Sequence, residues 1–216
     1  MTARRGAGLN AAWRGVAALT AAVLLRSAFA ARAGSARFYL LTTSLAGAWT
    51  GGALGAGPIP WRGDGRNTRA GSAARALILV PVVSGAATFA VFYGAARAAR
   101  RHRTLRRPIA AALRYADAGS TPLVVLIASG SAVAEELFFR GALWSGSRPL
   151  RITTLAYTAS AAATGNPALV LAGLITSVIF GWQRAATGGV LAPAVSHLTW
   201  SVLMLHYVPP LFRDAY

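Results

Sequence analysis

The chain has 216 residues, of which 55% are hydrophobic and only 12% are charged. A soluble domain usually devotes about a quarter of its residues to charge, so this composition, with a mean hydropathy of +0.49, argues against one. The 22 basic residues are all arginine and give a net charge of +17. Because they lie between apolar blocks, we expect anionic membrane lipids as partners and no nucleic acid. The absence of cysteine excludes disulfides and thiolate metal sites.

The N-terminal half predicts apolar helices separated by arginine-rich segments. A short basic tail over Met1–Arg14 precedes an apolar run from Gly15 to Leu25, which predicts a first membrane helix. A cleaved signal peptide is the alternative for this run. A second helix is predicted over Phe38–Gly57. Glycines four residues apart share one face of it and predict the close approach of a neighbouring helix; they are Gly47, Gly51 and Gly55.

The middle of the chain is the most basic part. A polar loop is predicted over Pro58–Arg75, followed by a third apolar helix over Ala76–Ala96. The next segment, Arg97–Arg114, contains seven arginines and predicts an interfacial helix along an anionic membrane surface. Arginines are equally numerous on the two sides of the predicted membrane, so the positive-inside rule leaves the orientation open.

The second half predicts four more apolar helices, over Thr121–Trp144, Arg151–Ala163, Pro167–Ala186 and Gly189–Tyr207. Together these segments predict an all-α transmembrane bundle of about seven helices. We expect the N-terminal helices and basic loops (residues 1–120) and a core (residues 121–216) to pack as one membrane domain. We predict a multi-pass integral membrane protein that lies in a bacterial plasma membrane.

The two glutamates of the chain, Glu135 and Glu136, are adjacent and lie within an apolar segment. An ionised carboxylate at membrane depth is costly, so a functional role is expected. Arg140 follows Glu136 by four residues and can pair with it on one helical face, whereas Glu135 points about 100° away. A structural Glu–Arg pair that fixes helix register is the alternative, but it leaves Glu135 unexplained.

The last apolar helix carries His197, with Ser201 one turn later on the same face. An imidazole can ligate a metal, relay a proton or stabilise an oxyanion; a structural histidine is the alternative. His206 falls on the opposite face and is expected to be structural, and His102 belongs to the basic segment.

These residues resemble two motifs of the CPBP intramembrane protease family, which includes the type II CAAX prenyl endopeptidases and bacteriocin-processing proteins. The first motif resembles EELFFRG at positions 135–141. The last motif, a histidine with an asparagine four residues later, follows a Thr-Gly turn and a proline. It resembles the series Thr187, Gly188, Pro193, His197 and Ser201. The resemblance extends over residues 121–207.

Two departures from the family pattern concern the site. The middle Phe-x-x-x-His motif corresponds to Tyr157–Ala161, which has no histidine, and Asn166 is the nearby polar substitute, expected to serve as a turn residue. Ser201 stands where the family has asparagine. A hydroxyl can donate to an oxyanion but is a weaker metal ligand than an amide carbonyl.

The resemblance implies an intramembrane endopeptidase that acts on a hydrophobic or prenylated peptide or protein. It implies Glu135 as the base that activates water, and Glu136, held by Arg140, as a ligand of a cation or substrate. It also implies that His197 and Ser201 face them. A zinc ion would have Glu135, Glu136 and His197 as ligands, the minimum for a catalytic site; a metal-free mechanism stays open.

Two other functions also stay open at this point. One is a catalytically weakened or inactive relative that serves as a membrane scaffold or binds a partner. The other is a small proton-coupled carrier, because intramembrane Glu and Arg also mark transport paths. The lack of an inverted repeat argues against the carrier.

Overall fold

A computed structural model describes residues 2–62, 70–118 and 121–215, with backbone alone for residues 2–9, 70–76 and 121. The described ranges are helical and contain no strand, which confirms the predicted all-α bundle. Their eight α-helices are α1 (Thr2–Ala30), α2 (Ala36–Gly55), α3 (Ala70–Ala99), α4 (Arg103–Asp117), α5 (Thr121–Glu136), α6 (Pro149–Ala162), α7 (Pro167–Thr187) and α8 (Leu191–Tyr207). A π-helix, Leu137–Ala142, extends α5, and two 3-10 turns follow α8.

The predicted count of seven apolar helices is confirmed, with α4 as the additional basic helix. Among the described residues, four helical stretches are long and apolar enough to cross a membrane, judged by length and composition: Asn10–Ala30, Leu77–Ala99, Pro122–Ala142 and Pro167–Thr187. A full crossing takes about 20 residues, and α6 and α8 have only 14 and 17. The fold is therefore a helical membrane bundle in which shorter apolar helices pack beside spanning ones.

One end of the bundle, called here the α4 end, gathers the α1–α2 turn, α4 and the C-terminal turns. The Tyr115 hydroxyl of α4 contacts the carbonyl oxygen of Ala31 at 3.2 Å. The side-chain amide of Asn166, before α7, donates to the Pro108 carbonyl at 2.8 Å. These contacts hold α4 against the end of the bundle.

The opposite end joins the segment after α2 to the start of α8. The backbone amide of Val190 donates to the Pro60 carbonyl at 2.9 Å, and that of Leu191 donates to the Trp61 carbonyl at 3.1 Å. Arg14 of α1 donates to the Ala142 carbonyl at the end of the π-helix, at 3.1 Å. The N-terminal helices are therefore tied to the helices that carry the site residues.

Helix α8 packs very closely against α3. The Ser196 hydroxyl donates to the Pro81 carbonyl at 2.8 Å, and a Cβ at Gly85 would collide with the backbone of Ser196 and the side chain of Thr199. Only glycine allows this approach. Since Ser196 precedes His197, the contact fixes the height of His197 within the bundle.

The structure corrects the predicted glycine face of α2. A Cβ at Gly55 would meet Trp13, as expected, but Gly47 and Gly51 face open space. The close approach instead lies at Gly52, where a Cβ would meet Ala17 and Phe138. The spacing rule identified a face of the helix, but α1 packs beside that face because Trp49 and Leu45 bury the adjacent stripe.

Several predicted boundaries were also wrong. The basic tail before Arg14 is helical from Thr2, because its alanines and arginines favour helix. Helix α3 begins at Ala70, inside the loop predicted to reach Arg75; residues 63–69 of that loop lie outside the described residues. The basic segment after Arg97 is divided between the end of α3 and a separate α4.

Candidate active site

The helix that carries both glutamates widens directly after them. Helix α5 ends at Glu136 and continues as the π-helix, in which the amide of Leu143 donates to the carbonyl of Phe138, five residues back, at 2.8 Å. The sequence predicted one α-helix through Trp144, which is wrong in this last part. Such π-turns often occur at functional sites because the extra residue redirects the side chains around it.

The predicted pair of Glu136 and Arg140 is confirmed, and His197 joins it. One carboxylate oxygen of Glu136, Oε1, lies 3.0 Å from Nη1 of Arg140 and 2.9 Å from Nδ1 of His197. All three residues are buried. With a carboxylate at Nδ1, this nitrogen carries the proton, and Nε2 is the ring nitrogen left for other partners.

Helix α7 holds the guanidinium and the backbone of Arg140. Nη2 of Arg140 donates to the carbonyl and the hydroxyl of Ser177 at 3.1 and 3.2 Å. One π-helix carbonyl, that of Arg140 itself, accepts from Nε of Arg184 at 2.7 Å. Arg184 in turn lies over the ring of Trp144, 5.6 Å from its centroid. Two α7 residues thus fix the widened turn.

Glu135 faces a different direction from Glu136, as the helical geometry predicts. Its Oε2 accepts a hydrogen bond from the Tyr157 hydroxyl of α6 at 2.5 Å. The Tyr157 ring lies beneath the guanidinium carbon of Arg140, with its centroid 5.0 Å away. The two glutamates therefore have separate partners but belong to one connected cluster.

A cavity of about 270 Å³ opens beside this cluster. Glu135, Tyr157, His197 and Ser201 all contribute to its wall, whereas Glu136 is fully buried behind it. The His197 ring stacks on Phe180 with centroids 4.9 Å apart, which fixes its plane. One carboxylate, one imidazole and one hydroxyl thus share the wall of a single cavity, and these groups can transfer protons and stabilise developing charge.

The segment that corresponds to the missing middle motif also lines the cavity. Ala161 and Thr164 of this region form part of the wall, together with Tyr157. Asn166 instead begins α7: its side-chain oxygen accepts from the amides of Ala168 and Leu169. The expected turn role of Asn166 is confirmed, and the cavity face of α6 carries no imidazole.

The remaining histidines lie away from the cluster. His206 is exposed and packs edge-on against Tyr207, and His102 precedes α4 at the surface. The predicted Thr-Gly turn is present, because Gly188 ends α7 in the left-handed conformation with φ of 69°.

The zinc prediction requires three metal-ligating side chains that lie close together. Within residues 2–62, 70–118 and 121–215, no three His, Asp or Glu side chains come together as a group able to hold a metal ion. A catalytic zinc site uses three protein ligands. The arrangement of Glu135, Glu136 and His197 therefore lends the zinc prediction no support.

Three contributing residues were missed as site residues by the sequence analysis: Tyr157, Ser177 and Arg184. A signal existed for the last two, because they are seven residues apart and so share a face of α7. For Tyr157 the signal was its place in the degenerate middle motif. Nothing in the sequence marked its hydroxyl as the partner of Glu135.

Residues 117–203 match the family described as Type II CAAX prenyl endopeptidase Rce1-like. This match confirms the CPBP resemblance over that part of the chain, which runs from the end of α4 into α8 and includes the whole cluster. Residues 1–116 lie outside the match. No curated protein and no solved structure matches the chain.

Proposed function

We propose that the protein is an intramembrane endopeptidase that hydrolyses a peptide bond with water activated by Glu135. The observation that carries the proposal is the cavity whose wall includes Glu135, His197 and Ser201, within a segment that matches a protease family. Water, a base and oxyanion donors are the three requirements of peptide hydrolysis. We place the enzyme in a bacterial plasma membrane.

Glu135 is the proposed general base. Because Tyr157 donates to Oε2, the carboxylate is held in one orientation and Oε1 accepts a proton from water. The water oxygen then bonds to the carbonyl carbon, and the proton passes from Glu135 to the amine nitrogen as the C–N bond breaks. Tyr157 acts as a positioning residue, in the region where the family has its middle motif.

His197 and Ser201 are the proposed oxyanion donors. Glu136 contacts Nδ1 of His197, so Nε2 is the ring nitrogen proposed to donate to the oxyanion. The oxyanion that forms during water attack would be stabilised by this hydrogen bond and by the Ser201 hydroxyl.

Glu136 is proposed to position His197 rather than to bind substrate. It is fully buried, and its Oε1 is shared by Arg140 and His197. A carboxylate that holds an imidazole in this way selects its orientation and stabilises its charged form. This differs from the ligand role that the family resemblance implied.

The cavity wall favours an apolar substrate. Leu25, Leu45, Trp49 and Leu169 line it together with several alanines, and Glu135 is the only acidic residue of the wall. A mostly apolar wall with few polar groups selects hydrophobic ligands. We therefore propose an apolar or lipid-modified peptide segment as the substrate.

The test is a cleavage assay with purified full-length protein in liposomes. Quenched-fluorescent apolar peptides, with and without a prenylated cysteine, serve as probes. We expect Glu135→Gln to lower the rate by at least about a hundredfold. Asp117→Asn is the matched control, since it also converts a carboxylate to an amide but lies in a surface ion pair with Arg213. Equal rates for the wild type and Glu135→Gln would refute the proposal.

A second candidate is a scaffold that binds apolar segments without cleaving them. The observation that favours it is Ala161 on the cavity face of α6, because this helix contributes no imidazole to the cavity. If crosslinking shows equal peptide binding by the wild type and Glu135→Gln, and neither cleaves any probe, the scaffold is favoured over the enzyme.

A further inference from the structure

Four arginines surround a second cavity, called here the arginine pocket, at the α4 end of the bundle. Arg97, Arg100 and Arg101 come from the end of α3 and the turn after it, Arg106 comes from α4, and Asp214 comes from the C-terminal turn. The open cavity measures about 560 Å³ and shares no lining residue with the active-site cavity. It is therefore a separate feature of the molecule.

The positive charge of this pocket is largely uncompensated. Asp214 pairs with Arg106 at 2.9 Å, and its backbone carbonyl accepts a second bond from the same group at 3.1 Å. In the described part of the chain, no carboxylate forms an ion pair with Arg97, Arg100 or Arg101. Three guanidinium groups thus line the cavity without an ion-pair partner among the described residues.

The pocket lies at the end of a candidate membrane span. This span, judged by length and composition, runs over Leu77–Ala99 of α3, so Arg100 is expected where the hydrocarbon region gives way to phosphates. The two helices that supply the pocket arginines also carry exposed apolar side chains: Val91 on α3 is 69% exposed and Leu105 on α4 is 51% exposed. The surface therefore combines an anion site with an adjacent apolar face.

We infer that the arginine pocket binds the phosphate group of an anionic phospholipid. The N–H groups of a guanidinium can donate in pairs to the oxygens of a phosphate. A headgroup with a net negative charge also neutralises part of the positive charge of the arginine pocket, whereas a zwitterionic headgroup does not. Free phosphate offers the same oxygens but no acyl chains for Val91 and Leu105. The inference does not depend on the proposed proteolysis, because it concerns a different cavity.

Native mass spectrometry of the detergent-solubilised full chain tests the inference. The protein is titrated with phosphatidylglycerol or phosphatidylcholine, and with soluble glycerol phosphate as a competitor. The test variant is Arg100→Gln/Arg101→Gln. The matched control is Arg32→Gln/Arg37→Gln, which removes one exposed arginine from the α1–α2 turn and one from the first turn of α2, at the same end of the bundle.

We expect the wild type to bind phosphatidylglycerol about tenfold more tightly than phosphatidylcholine, and the test variant to lose that preference. The control pair should retain affinity within about twofold. An equal loss of phosphatidylglycerol affinity in the test and control variants would show general attraction to the positive surface and would overturn the assignment of the binding site to the arginine pocket. Competition by glycerol phosphate at equal concentration would overturn the lipid assignment.

A third variant, which is expected to bind the lipid more tightly, distinguishes loss of the binding site from misfolding. Asp214→Asn removes the one acidic side chain of the pocket and releases Arg106. We expect it to tighten phosphatidylglycerol binding by about threefold, a result that a damaged fold cannot produce. Unchanged or weaker binding by this variant would contradict the inference.

Discussion

The buried cluster around Arg140 and the arginine pocket use the same side chain in opposite surroundings. Arg140 is fully buried, and its guanidinium contacts Glu136 and Ser177, whereas Arg100 and Arg101 are exposed and meet no protein carboxylate in the described part of the chain. Burial makes partners obligatory because an unpaired charge in a low dielectric is very costly. At the surface, water stabilises the charge and leaves it available for a ligand.

The largest expected loss of stability comes from a substitution in the buried cluster. Arg140→Gln leaves Glu136 buried without its guanidinium partner, and we expect a loss of about 3–5 kcal/mol in unfolding free energy. Arg97→Gln, at the surface, should change it by less than about 0.5 kcal/mol. Unfolding in mixed micelles with a denaturing detergent measures both. Similar losses in the two variants would mean that burial does not distinguish these arginines.

A double variant separates stability from activity at the same place. Glu136→Leu/Arg140→Met replaces the ion pair with apolar groups, and such replacements of buried pairs often restore stability. We expect unfolding free energy to recover relative to Arg140→Gln, while cleavage stays lost because His197 has no carboxylate partner. Recovery of cleavage together with stability would show that Glu136 has no part in positioning the imidazole.

A smaller effect is expected where the cluster meets the cavity. Tyr157→Phe removes the hydroxyl that orients Glu135 but keeps the ring beneath Arg140. We expect kcat to fall by about tenfold to a hundredfold, with KM and thermal stability nearly unchanged. A rise in KM at constant kcat would instead indicate that Tyr157 contributes to substrate binding alone.

Arg184→Gln tests an arginine that lies between the buried and the exposed cases, since Arg184 is 9% exposed. The substitution leaves the Arg140 carbonyl of the π-helix without its donor. An unsatisfied buried carbonyl costs about 1–3 kcal/mol, and we expect unfolding free energy to fall by that amount. Arg184→Lys retains a donor and should recover part of the loss; equal stability of the wild type and both variants would contradict the assigned contact.

Among the ion pairs, the smallest effect should come from the surface pair of Arg213 and Asp117. Their closest approach is 3.0 Å, and the Arg213 side chain is 62% exposed. Exposed pairs contribute about 0–1 kcal/mol, so Arg213→Gln should lower unfolding free energy by no more than that. A larger loss, measured in the same detergent titration, would show that the C-terminal turns are a structural support for α4.

The sequence predicted the helices and the Glu136–Arg140 pair because both depend on local periodicity. Apolar segments identify membrane helices by length, and a spacing of four residues places two side chains on one face whatever the rest of the chain does. The approach of His197 to Glu136 was anticipated through the family resemblance, since two helices distant in the sequence have no periodicity in common.

The parts that the sequence did not predict depend on contacts between helices. The π-helix after Glu136 has no local signature, and it is stabilised by Arg184 from another helix. Likewise, Gly52 rather than Gly47 receives the neighbouring helix because Ala17 and Phe138 happen to lie opposite it. Tertiary packing decides among positions that local rules treat as equal.

The close approach of α8 to α3 has a consequence for how the protein can change over time. Gly85 and Pro81 belong to α3, outside the segment that matches the protease family, yet they meet Ser196, the immediate neighbour of His197. A larger side chain at position 85 would push the imidazole out of register with its carboxylate. The two halves of the chain are therefore coupled by packing, and exchanging the N-terminal half for that of a relative would require matched changes along α8.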